Sequence, residues 1–138
     1  MALNVDDPDE LHALAFVAMQ HALGSIETSG PLVPFAITDG DDGRKFMRFM
    51  AERLEDMQAH GRQLLAENPP SERAALAWDG YIHHEGGRVD AIFIEAYESG
   101  AAGGILIAQP YQSKGLLRKR NEAVGQATIV ERGRPPLF

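Results

Sequence analysis

The chain has 138 residues, with 13 basic against 20 acidic side chains and a formal net charge of −7. It has no cysteine, which excludes disulfides, thiolate catalysis and cysteine-held zinc or iron–sulfur centres. A hydrophobic fraction of 44% and a charged fraction of 24% describe one globular domain able to bury a core without metal or crosslinks.

The first residues, MALNVDDPDE, carry acids where a signal peptide needs a basic start. No run approaches the ~18 apolar residues of a membrane span. A cytoplasmic protein without membrane contact is the expectation. In chain order, Asp7 can cap a first helix, Pro8 suits its first position, and Asp9 and Glu10 favour the positive end of its dipole. Leu11, Leu14, Ala15, Ala18, Ala22 and Ile26 follow at helical spacing, and Ser29-Gly30-Pro31 ends the element. Residues 32–38 read as a short strand in which Pro34 cannot donate to a ladder, so an edge position or a start after the proline is expected.

Asp39-Gly40-Asp41-Asp42-Gly43 reads as a turn. It lacks the alternating oxygen ligands and closing glutamate of a calcium loop. A second helix is expected over about residues 45–66, its apolar stripe formed by Phe46, Phe49, Met50, Leu54, Met57, Leu64 and Leu65. Asn68-Pro69-Pro70-Ser71 breaks it. Residues 74–113 then read as three strands joined by a Gly86-Gly87 turn and a loop from Ser99 to Gly104. Gln126–Glu131 reads as one further strand.

These elements predict an α+β fold. Two helices pack on one face of a mostly antiparallel sheet of four or five strands, in the order α-β-α-β-β-β and then a C-terminal strand. Residues 1–113 form the domain. Residues 114–138 form a basic extension with six basic and two acidic side chains, a net +4 against −11 for the rest. The acidic body repels a phosphate backbone, and the run Arg118–Arg120 has no aromatic neighbour for base stacking, so nucleic acid is not an expected partner.

Pairing the strands about those turns sets Trp78 opposite Glu95, His83 opposite Asp90, Glu95 near Ile107 and Phe93 near Gln109. One sheet face is then aliphatic at its centre, with Asp79, Tyr81, Ile92, Ile94, Ala96, Leu106 and Ala108. The other carries Trp78, Ile82, Phe93, Glu95, Tyr97, Ile107, Gln109 and Tyr111. If the helices take the first face, the aromatic one is free to bind, and Trp78, Phe93, Glu95, Tyr97, Gln109 and Tyr111 are the candidate binding residues.

Glu95 among rings is the one candidate acid or base, because burial raises a carboxyl pKa. His83 and Asp90 supply at most two metal ligands, since His84 points to the opposite face, and two do not close a site. No metal and no cofactor is expected. The expected function is a non-catalytic module that forms a homodimer through its sheet and binds a protein or small molecule. The alternative is a small enzyme or small-molecule-binding protein with a sheet-face pocket around Glu95.

Overall fold

A computed structural model of the chain describes residues 10–27, 32–49, 54–101, 103–115 and 120–135. The expected cap at Asp7 and Pro8, the break at Ser29-Gly30-Pro31, Met50 and the basic pair Arg118 and Lys119 lie outside them.

Helix α1 (Glu10–Ile26) forms where the apolar spacing predicts it, and all six stripe residues are buried together with Met19. It is followed by β1 (Phe35–Gly40), β2 (Gly43–Arg48), α2 (Leu54–Glu67), β3 (Arg73–His84), β4 (Gly87–Glu98), β5 (Gly104–Lys114), β6 (Arg120–Ala123) and β7 (Thr128–Arg134). The strands make one antiparallel sheet in the order β2-β1-β3-β4-β5-β6, with β7 also paired to β5. The class is α+β, as the sequence predicts, with seven strands in place of four or five. None of the helices among the described residues is long and apolar enough to cross a membrane.

The layering differs from expectation. Helix α1 packs on Phe35, Ile37, Ala75, Ala77, Ile92 and Ile94. Helix α2 packs through Leu64 and Leu65 on Ala36, Ala74 and Leu76, which point to the other side of the same strands. The helices therefore lie on opposite faces, not on one. One helix with a stripe of alanines fills the aliphatic side, and the second side is too apolar to leave in water. Gly61 lets α2 approach: a Cβ there would sit 2.4 Å from Leu76 Cδ1 and 2.7 Å from Phe49 Cζ.

Residues 45–48, expected to open the second helix, belong instead to strand β2. A two-residue Asp41-Asp42 turn folds β2 back on β1, pairing Gly40 with Gly43 and Ile37 with Phe46. Asp39 fixes that hairpin. Its two oxygens accept from Arg44 Nε at 2.7 Å and Nη2 at 3.0 Å, and Arg73 Nη1 reaches Oδ2 at 3.2 Å. Arg44, then burial, then Arg73 act on Asp39, and the arginines prevail and hold its carboxyl below 3.8.

The phase of the β1–β2 ladder is set by Phe49 N donating to Pro34 O at 3.1 Å. Hydrogen-bonded pairs alternate along an antiparallel ladder, so the backbone groups of Lys45 and Met47 face β1 and those of Arg44, Phe46 and Arg48 face outward. Proline is tolerated where its missing N–H faces away from the ladder. We expect Arg48→Pro to leave the urea midpoint almost unchanged. Met47→Pro should cost about 1 kcal/mol or more by orphaning a β1 carbonyl. Equal losses in the two variants would show that this phase is misassigned.

Candidate functional site

The strand register decides which candidate residues meet. The first hairpin turns at Glu85-Gly86, pairing His84 with Gly87, His83 with Arg88, Tyr81 with Asp90 and Trp78 with Phe93. This is two residues from the expected pairing, so the faces survive, but His83 stands opposite Arg88 and not Asp90. No group of three or more His, Cys, Asp or Glu able to hold a metal occurs among the described residues. In the second hairpin Glu95 pairs with Leu106 and Phe93 with Ala108. That one-residue shift reverses β5: Leu106 and Ala108 lie on the Glu95 side, while Ile107, Gln109 and Tyr111 lie on the α1 side.

The six candidate binding residues thus divide. Trp78, Phe93, Glu95 and Tyr97 share one face; Gln109 and Tyr111 occupy the other. Trp78 and Phe93 stack with ring centroids 4.5 Å apart and planes 12° from parallel. Gln109, expected beside Phe93 on the aromatic face, is buried elsewhere. Its Nε2 donates to the carbonyls of Pro110, Val124 and Gly125 at 2.9, 3.2 and 3.3 Å and braces the link between β6 and β7.

Glu95 is fully buried, at 0% exposure. Its Oε1 accepts from Gln58 Nε2 of α2 at 2.7 Å and from Arg62 Nη2, and forms an ion pair with Arg134 Nη2 of β7 at 2.8 Å. Arg62 Nε reaches Oε2 at 3.1 Å. Glu131 accepts from Arg134 Nη1 at 2.8 Å, so the second arginine is itself balanced. Beside this cluster the Tyr97 hydroxyl is pushed up to about 12, first by burial and then by the Glu95 charge. Tyr97 in turn packs over Gly104, where any Cβ would stand 2.5 Å from its ring. The arrangement fixes two segments, α2 and β7, to one carboxylate on β4. It gives that carboxylate no contact with solvent.

A second acid, half-buried, lies on the α1 side of the sheet. Asp79 accepts from the Tyr111 hydroxyl at 2.9 and 3.0 Å to its two oxygens. The pair borders an open cavity of about 300 Å³ with Gly80, Arg88 and Asp90. Burial, opposed by the Tyr111 hydrogen bond, raises the Asp79 carboxyl above 3.8. Burial and then the Asp79 charge raise the Tyr111 hydroxyl in turn. The signal available in the sequence was an acid flanked by Trp78 and Gly80 within a run of strand-forming residues.

A larger cleft of about 530 Å³ lies between the β1–β2 hairpin and the end of α2, bordered by Thr38, Lys45, Met47, Asn68 and Ser71. It adjoins β2, which is solvent-exposed at all six positions. There Phe46 is 40% and Met47 36% exposed.

Two predictions follow from the acids. Removing one partner of a buried ion pair strands the other charge, so Glu95→Gln should lower unfolding stability in urea by about 3–5 kcal/mol. Arg134→Ala, which leaves Arg62 and Gln58 on the carboxylate, should cost less. A loss below about 1 kcal/mol for Glu95→Gln would mean that the cluster does not hold the fold together. Asp79 has the opposite linkage from Asp39. Its folded-state pKa is raised, so its contribution to stability is fully present below 3.8 and lost as pH rises through the folded value. Asp79→Asn keeps an acceptor for Tyr111, and should stabilise the protein at about pH 7 but not at about pH 3. A gain that is the same at both values would refute the linkage.

No family model matches the chain, and neither a curated protein nor a solved structure matches it.

Proposed function

We propose that this chain is a non-catalytic interaction module that works by offering the outer edge of its sheet, strand β2, to a partner chain. The observation that carries this reading is the state of that strand. It ends the sheet, is exposed along its whole length, and directs the backbone groups of Arg44, Phe46 and Arg48 away from β1. Unpaired strand edges recruit other strands, because main-chain hydrogen bonds supply affinity with any sequence. Exposed Phe46 and Met47 add apolar contact area at the same place. The aromatic face anticipated for this role is partly taken by α2, and the carboxyl anticipated as acid or base is closed in by Gln58, Arg62 and Arg134.

A homodimer is the second reading, favoured by one contact. The Arg48 guanidinium lies over the Phe46 ring at 4.9 Å. Two β2 strands paired antiparallel about Met47 would place each Arg48 beside the Phe46 of the other copy.

The test is photo-crosslinking in cells that express the protein. With p-benzoylphenylalanine in place of Phe46, a discrete adduct should form, and Arg48→Pro should abolish it. The same probe at Val130, 53% exposed on β7, should give none. An adduct containing two copies of the chain selects the homodimer. Equal labelling from positions 46 and 130 would remove the edge from consideration.

A further inference from the structure

We infer that β2 receives an extended acidic segment of a partner protein as an added strand, with acidic residues flanking two apolar ones. The inference rests on the edge-binding reading above and names the chemistry of the partner.

The ends of the sheet are treated differently. Strand β6 has four residues. Strand β7 shifts register twice against β5, has Gly133 at φ 70 and is followed by Pro135. Short length, bulges and proline all blunt an edge. Strand β2 has six residues in continuous register with β1, with neither bulge nor proline. Its lysine and arginines could act as guards, but guards do not account for two large apolar side chains beside them.

The cations on β2 are not equally engaged. Arg44 is held by both oxygens of Asp39. Lys45 comes only within 3.8 Å of Asp42, with both side chains largely in water. Arg48 meets the Phe46 ring and, among the described residues, no carboxylate. Arg48 therefore has no carboxylate among the described residues to give up, and Lys45 only a long, solvent-exposed pair.

Side chains of paired residues point to the same side of a sheet. A strand added to β2 would place residues opposite Arg48, Met47, Phe46 and Lys45. Charge and apolar complementarity call for acid, apolar, apolar, acid at those positions. The pattern reads the same in both directions, so it holds for parallel and antiparallel addition. A second copy fits less well. Pairing about Met47 brings both Lys45 and both Arg48 side chains to one short seam with no added acid, between bodies that each carry −7.

The experiment uses the full chain and three capped synthetic peptides. One has two valines between two glutamates, one has two valines between two lysines, and one has two asparagines between two glutamates. Binding is read by fluorescence anisotropy. Amide hydrogen exchange at Arg44, Phe46 and Arg48 is followed by NMR. The glutamate–valine peptide should bind at least about tenfold more tightly than either other peptide, and should protect those three amides. Its affinity should fall as salt rises. The double variant Lys45→Glu, Arg48→Glu should reverse the preference toward the lysine peptide, a result that loss of folding cannot imitate.

Equal affinity for all three peptides, or protection elsewhere, would overturn the inference. So would a concentration-dependent dimer that protects the same amides without peptide. If a Phe46 adduct forms in cells while the peptides do not discriminate, the acidic partner is wrong and the edge reading survives. If no adduct forms, that reading fails as well.

Discussion

The outer layer of this protein is organised by one buried carboxylate. Taking an ion out of water costs several kcal/mol, and a close ion pair offsets this only when the remaining lone pairs also find donors. Glu95 satisfies that condition with donors from two parts of the chain, Gln58 and Arg62 on α2 and Arg134 on β7. The partners stand 33 residues before it, at Arg62, and at the far end of the chain. Helix α1 is held differently, by seven buried apolar side chains, with Arg73 reaching Glu10 at 2.5 Å at its first turn. The two helices thus answer to different forces: area removed from water for α1, and geometry around one charge, with Leu64 and Leu65, for α2.

That division explains what the sequence revealed. The α1 stripe was legible because burial acts through local spacing, and its six expected residues are all buried. The three-strand block was legible for the same reason. The placement of α2 was not. Glu95 looked like the polarity that keeps a helix off its face, whereas it is the group on which α2 docks. Nothing in a linear sequence distinguishes the arginine that finds a buried acid from one that stays in water. Arg62 and Arg134 look no different from Arg88, whose side chain is 63% exposed.

Two other failures were local. Phe46, Phe49 and Met50 satisfy helical spacing, and that period was preferred over a hairpin signal: Asp41-Asp42 between Gly40 and Gly43. Tertiary contact decided otherwise, because Asp39 binds Arg44 across the turn and Phe46 stacks on Phe35 at 4.9 Å. The second error was a slip of one residue in β5. The composition of Ser99–Gly104 says that a loop is present but not where pairing resumes, and one residue is enough to carry Gln109 and Tyr111 to the wrong face. Tyr111 thereby leaves the company of Glu95 and becomes the donor to Asp79.

The same carboxylate bears on how the two ends of the sheet differ. Arg134 ties β7 to Glu95, and with it the chain covers the outer side of β5 along Gly104–Ala108, while β6 covers Tyr111–Lys114. Residues 120–134 thus close most of one edge, and an ion pair with no solvent contact at its centre holds them there. No comparable cover reaches β2 among the described residues. Its anchors, Asp39 with Arg44 and Phe46 on Phe35, fix the hairpin to β1 but leave its outer backbone groups and part of the Phe46 and Met47 side chains in water. An exposed regular strand with apolar side chains is an aggregation hazard. A buried charge thus helps to close one edge of the sheet, while β2 stays exposed and basic, and it is on this contrast that the proposed strand addition at β2 rests.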